Sequence, residues 1–141
     1  MVLFSKDRIL VPIDFSEASL KALEETLAFA EASTAVHAIH VLSPLEPTEP
    51  GIVWQAIDAN TRKENVQKAF WEKFPDQHEK ITFAIDEGKP GAQIIDYAEQ
   101  HNIGLIVMPS RGRTGLSRFF MGSVTERVMR FAHCPVLVLR D

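Results

Sequence analysis

The chain has 141 residues, of which 45% are hydrophobic and 24% charged, and its formal net charge is −4. That length and balance describe one domain, residues 1–141, large enough to close a core without metals or disulfides. An acidic balance disfavours nucleic-acid binding, the single cysteine Cys134 excludes an internal disulfide framework, and no apolar run approaches the ~20 residues of a membrane span.

The opening Met1-Val2-Leu3-Phe4-Ser5-Lys6-Asp7-Arg8 acquires charge too early for a signal peptide. With the lone cysteine, this reads as a protein of the reducing cytoplasm, not of a membrane. Arg8 to Ile13 forms a first strand, apolar on both faces as in a parallel sheet covered by helices. Pro12 cannot donate to a ladder, so the strand ends about there and Asp14-Phe15-Ser16 turns. Ser16 is an N-cap, with Glu17 in the favoured first turn. Leu20, Leu23, Leu27 and Ala30 then recur at helical spacing to about Ala32.

Ala35 to Leu42 is a second strand, broken by Ser43-Pro44. A proline-rich loop over 45–51 follows. From Ile52 the pattern is helical, with Val53, Ile57, Val66, Phe70 and Phe74 on one stripe and a candidate interruption at Asn60-Thr61. Ile81 to Ile85 is a third strand. Gly88-Lys89-Pro90-Gly91 leads into a helix holding Ile94, Ile95, Tyr97 and Ala98, with Pro90 suited to its first turn. Asn102-Ile103-Gly104 ends that helix, and Gly104 to Met108 is the fourth strand. A last helix over Val124 to Ala132 and a strand over Pro135 to Leu139 complete the chain. Alternating strands and helices predict an α/β three-layer sandwich around a five-stranded, mainly parallel sheet.

The stretch richest in chemistry is Pro109-Ser110-Arg111-Gly112, nine further residues, then Gly122-Ser123. It joins a buried strand to a helix N-terminus. There glycine admits close backbone approach and first-turn N–H groups point at an anion. This predicts a phosphate site at Gly112 and Gly122-Ser123. Glycine and helix-start punctuation alone would leave the same trace, so the pair in isolation is a weak signal. Arg111, Arg113, Arg118, Arg127 and Arg130 crowd this region, either as solvated surface charge or as partners of an anionic ligand.

These residues also carry a resemblance. Gly112, the nine-residue spacer Arg113 to Met121 and Gly122-Ser123 resemble the nucleotide signature of the universal stress proteins: Gly, two residues, Gly, nine residues, Gly, Ser or Thr. The first glycine of that signature is Pro109 here. Gly122-Ser123-Val124-Thr125-Glu126, the closing Cys134-Pro135-Val136-Leu137-Val138 and the opening Ile9 to Ser16 extend the likeness over essentially the whole chain. It implies strand order 3-2-1-4-5, an adenine nucleotide alpha hydrolase-like, Rossmann-like arrangement. In that order Asp14 and the loop from Pro109 to Gly112 face one crevice. It further implies ATP, ADP or AMP as ligand. Met108, Pro109, Arg111, Gly112, Gly122, Ser123, Val124 and Thr125 would lie along the phosphate loop and helix start. Pro12, Asp14 and the Val41 backbone would lie towards the adenosine. Asp14 would accept from the base or help hold magnesium; its plain alternative is a turn carboxylate. A homodimer through the apolar strand 136–139 is implied too, which would also cover an exposed edge.

Pro109 removes a backbone N–H and adds a ring where glycine would leave space. No base, nucleophile and oxyanion donor occur together, so binding and partner-directed stress signalling rank above catalysis. His40 beside Asp14 is an imaginable hydrolytic pair, but a lone strand histidine is usually structural. His37, His78, His101 and His133 lack metal-ligand spacing, Cys134 reads as a small buried residue, and Gly88 to Gly91 is no P-loop. A nucleotide-free interaction module and a slow ATP hydrolase remain as rival expectations.

Overall fold

The computed structural model describes residues 5–43, 52–110 and 122–140, with backbone alone for 52–59. Five strands, β1 (Arg8–Pro12), β2 (Ala35–Leu42), β3 (Ile81–Glu87), β4 (Leu105–Pro109) and β5 (Val136–Leu139), alternate with four helices. These are α1 (Glu17–Phe29), α2 (Ile52–Lys73), α3 (Pro90–Gln100) and α4 (Ser123–Phe131). The strands form one sheet of order β3-β2-β1-β4-β5. Every adjacent pair is parallel, which goes beyond the mainly parallel sheet expected.

Parallel strands need helical crossovers, and those helices cover both faces. Two apolar layers result. One joins Ile9, Val11, Leu23, Val36, Phe70 and Val107 beneath α1 and α2; the other joins Leu10, Ile39, Ile106, Met108, Ile94 and Val128 beneath α3 and α4. The alternation along β1 and β4 sends successive side chains to opposite layers. This is why both strands read as continuous apolar runs.

Local chemistry sets the boundaries. Ser16 caps α1, its hydroxyl accepting from the Ser19 N–H at 3.1 Å. The helix stops at Phe29, three residues short of Ala32. Helix α2 runs unbroken through Asn60 and Thr61: both are exposed, so their weak helix propensity is a small cost that the packed Phe70 and Phe74 outweigh. Strand β3 extends to Glu87, because its pairing with β2 continues through Val41↔Asp86 and Leu42↔Glu87. Helix α3 closes on left-handed Asn102 (φ 53°), with Ile103 N–H donating to Ala98 O and Asn102 N–H to Glu99 O.

The crevice follows from the sheet order. Successive crossovers run outward from β1 in opposite directions, so the order reverses between β1 and β4. Those two strands share only the pairs Ile9↔Leu105 and Leu10↔Ile106. Beyond them the strands diverge at their carboxyl ends.

Candidate functional site

A cavity of about 400 Å³ opens at that divergence, within the range of about 300–1,000 Å³ usual for small-ligand sites. From β1 and the following turn come Pro12 and Asp14; from the end of β2 comes Val41. Met108 and Pro109 arrive from β4, and Gly122, Ser123, Val124 and Thr125 from the start of α4. Nine residues singled out in the sequence thus line one space. Arg111 and Gly112, with the arginines at 113 and 118, lie outside the described residues.

The turn after β1 is held by its own polar groups. Asp14 Oδ1 accepts from the Ser16 N–H at 2.9 Å, Asp14 N–H donates to Ser19 Oγ at 3.3 Å, and Ser19 Oγ donates to Ser16 O at 3.0 Å. This net leaves Phe15 at φ 63°, a left-handed conformation costly for an aromatic residue. The Phe15 ring packs into the α1–α2 layer and meets His40 edge-on, with centroids 5.0 Å apart. His40 Nδ1 lies 2.7 Å from Ile13 O. A carbonyl only accepts, so Nδ1 carries the proton and the tautomer is set. His40 ties β2 to the β1 turn, the structural role usual for a strand histidine.

On the opposite wall, Thr125 is buried and its hydroxyl donates to Pro109 O at 3.0 Å, spanning 16 residues. Gly122 N–H donates to Ser110 O at 2.9 Å, and Ser110 N–H to Leu139 O at 3.0 Å. Ser110 is therefore tied to β5, and Gly122 to Ser110. Gly122 is the N-cap of α4, with extended backbone at ψ 154°. The N–H groups of Ser123, Val124 and Thr125, in its first turn, have no acceptor within the helix. Helix α3 closes the third side with Pro90 and Ile94. It lies tight against α4: a Cβ on Gly91 would come 2.7 Å from Arg127 Cδ.

Sequence reasoning missed the α3 wall, since helix placement depends on non-local packing. Ser19 was missed too. Its signal was the spacing of Asp14, Ser16 and Ser19, short polar side chains suited to bonding their own turn. Cys134 is partly buried in the α3–α4 layer, and burial pushes its thiol up, as for a packing residue. Among the described residues no group of three or more His, Cys, Asp or Glu is arranged to hold a metal. No described helix is long and apolar enough to cross a membrane.

A family model for the universal stress protein family matches residues 6–140. The chain belongs to the universal stress protein family. Universal stress protein MJ0531 of Methanocaldococcus jannaschii is 36% identical over 139 residues, covering 94% of this chain and 81% of that protein. The solved structure of the universal stress protein UspA from Lactobacillus plantarum has a TM-score of 0.75 at 27% identity, over 96% of this chain and 98% of that one. The universal stress protein from Archaeoglobus fulgidus in complex with dAMP shares the fold, with a TM-score of 0.61 at 19% identity over 96% and 98% of the two chains. In this universal stress protein the strand order is 3-2-1-4-5, and the crevice lies where that order reverses.

Proposed function

We propose that this universal stress protein binds an adenine nucleotide in the crevice between β1 and β4 and acts as a homodimeric regulatory protein of the stress response. The observation that carries the reading is the convergence of Asp14, Val41, Pro109 and the first turn of α4 on one cavity. Ser123, Val124 and Thr125 present their backbone N–H groups to a phosphate at the positive end of the helix. Val41 offers backbone polar groups to the base while its side chain stays packed in the α3–α4 layer. Asp14 meets the adenosine end, and Pro12 shapes the turn that carries it. Met108 adds apolar lining, and Arg111 and Gly112, outside the described residues, are proposed as further phosphate contacts. A dAMP complex in a protein of the same fold supports this choice of ligand. The described cavity offers one carboxylate, Asp14, for magnesium, so the remaining ligands of such an ion would come from phosphate and water.

The experiment is to denature the purified protein, chromatograph the supernatant for nucleotide, and titrate adenine nucleotides into the nucleotide-free chain by calorimetry. Saturable binding weakened at least tenfold by Asp14→Asn is the expected result. An empty extract with no binding would favour the interaction-module reading.

Dimerisation rests on a separate observation. Strand β5 pairs only with β4 among the described strands, and Leu137 is 46% exposed on it. An apolar edge of this kind is stabilised by pairing with its copy. Light scattering is expected to give a dimer for the native chain and a monomer for Leu137→Glu.

A further inference from the structure

We propose that His37 and His101 form a two-histidine site for a divalent late transition-metal ion of the zinc class, separate from the crevice. His37 stands on β2, and His101 is the C-cap residue of α3. Neither of them lines the cavity, and nor does Tyr97, which touches both. Along β2, His37 lies roughly 13 Å from Val41 at the crevice end.

The two rings meet across the packing of α3 on β2, with centroids 5.7 Å apart and planes tilted by 58°. Zinc–nitrogen bonds of about 2.0–2.1 Å place the centroids of two imidazoles on one ion roughly 5–6 Å apart. The observed separation falls in that window. Buried Tyr97 holds both rings in place: its own ring stacks on His101 at 3.8 Å and meets His37 edge-on at 5.7 Å.

Hydrogen bonding leaves the right nitrogens for a metal. His101 Nδ1 lies 3.0 Å from Tyr97 O, and a carbonyl only accepts, so Nδ1 carries the proton and Nε2 carries a lone pair. His37 Nδ1 lies 2.7 Å from the Tyr97 phenol oxygen. With that oxygen accepting, His37 Nε2 is a lone pair as well. A ring nitrogen held by a carbonyl or hydroxyl is the outer contact that orients a metal-bound histidine. Burial foremost, then the His101 and Arg8 charges, keeps the His37 imidazole below its ordinary value, so at neutral pH it is uncharged and able to ligate.

The electrostatics admit a cation. Arg8 opposes one, but His101 sits at the negative end of the α3 dipole, and the Asp86 charge acts on the Tyr97 hydroxyl beside it. His37 is partly buried and His101 exposed, so an ion can enter from solvent and keep water in its remaining positions. Imidazole suits zinc, copper and nickel, whereas magnesium prefers oxygen ligands. A bound ion joins β2 to α3 in the native state alone and therefore stabilises it.

The test is calorimetric titration of Zn²⁺ into the full native chain at neutral pH, with Mg²⁺ as the control ion. The variants are His37→Asn, His101→Phe, which keeps a ring on Tyr97, and His78→Asn as a distant control; thermal melts report folding. One saturable zinc site is expected, weakened at least tenfold in His37→Asn and in His101→Phe and unchanged in His78→Asn. Zinc is expected to raise the native Tm, and Mg²⁺ to leave it unmoved. Imidazole proton resonances of the native chain give a second readout that needs no variant, with zinc shifting His37 and His101 and sparing His40, His78 and His133. No saturable zinc binding would overturn the proposal. So would binding that persists unweakened in both folded variants, or zinc shifts confined to the other three histidines.

Discussion

Replacing Thr125 with valine isolates the one side-chain bond that fastens the end of β4 to α4. Valine keeps the shape and the buried volume, so the change is confined to the hydroxyl. That hydroxyl donates to Pro109 O at 3.0 Å, and Thr125 is only 4% exposed. By the alternation of β4 the carbonyl of Pro109 points away from β5, so removing the hydroxyl strands a buried acceptor. Leaving such a group without a partner costs about 1–3 kcal/mol. For a chain of this size each kcal/mol moves Tm by about 4 °C, so the expected fall is roughly 4–12 °C. Thermal and urea unfolding followed by circular dichroism measure it, with Thr125→Ser as the control that retains the donor. An unchanged Tm for Thr125→Val would refute the view that this bond fastens β4 to α4.

The single tyrosine gives a clean titration. Burial, then the nearby Asp86 charge, pushes the Tyr97 hydroxyl up to about 12, so tyrosinate absorbance should rise near there and not near 10. Tyr97 also holds His37, whose Nδ1 lies 2.7 Å from the phenol oxygen. Burial first, then His101 and Arg8, keeps the His37 imidazole below its ordinary 6.5. The unfolded chain therefore takes up that proton first as pH falls. His37 contributes stability that is full above 6.5 and lost as pH drops through its lowered folded value. Urea melts between neutral pH and about pH 5 should show a steeper acid loss in the native chain than in His37→Asn. Equal slopes would remove His37 from the account.

The sheet was legible because parallel strands buried on both faces read as unbroken aliphatic runs, as in Ile9 to Val11 and Leu105 to Met108. Pro90 and Ser16 announced helix starts through backbone chemistry local to the chain. The two-pair junction of β1 and β4, which opens the crevice, joins residues more than ninety positions apart and leaves no local trace. The residues that converge on the cavity were legible as a set through the family signature and not through periodicity. The α3 wall and the clamp of His40 on Ile13 O required packing to become visible. Asn60-Thr61 failed as a break because two exposed, weak helix formers cannot outweigh the buried aromatic face of the same helix.

The most direct test of the crevice as a nucleotide site is an amide nuclear magnetic resonance titration with 5′-AMP. The predicted result is saturable shifts concentrated at the amides of Ser123, Val124 and Thr125, with a second group at Asp14 and Val41. Saturable shifts confined to other surfaces, with those five amides unmoved, would contradict it.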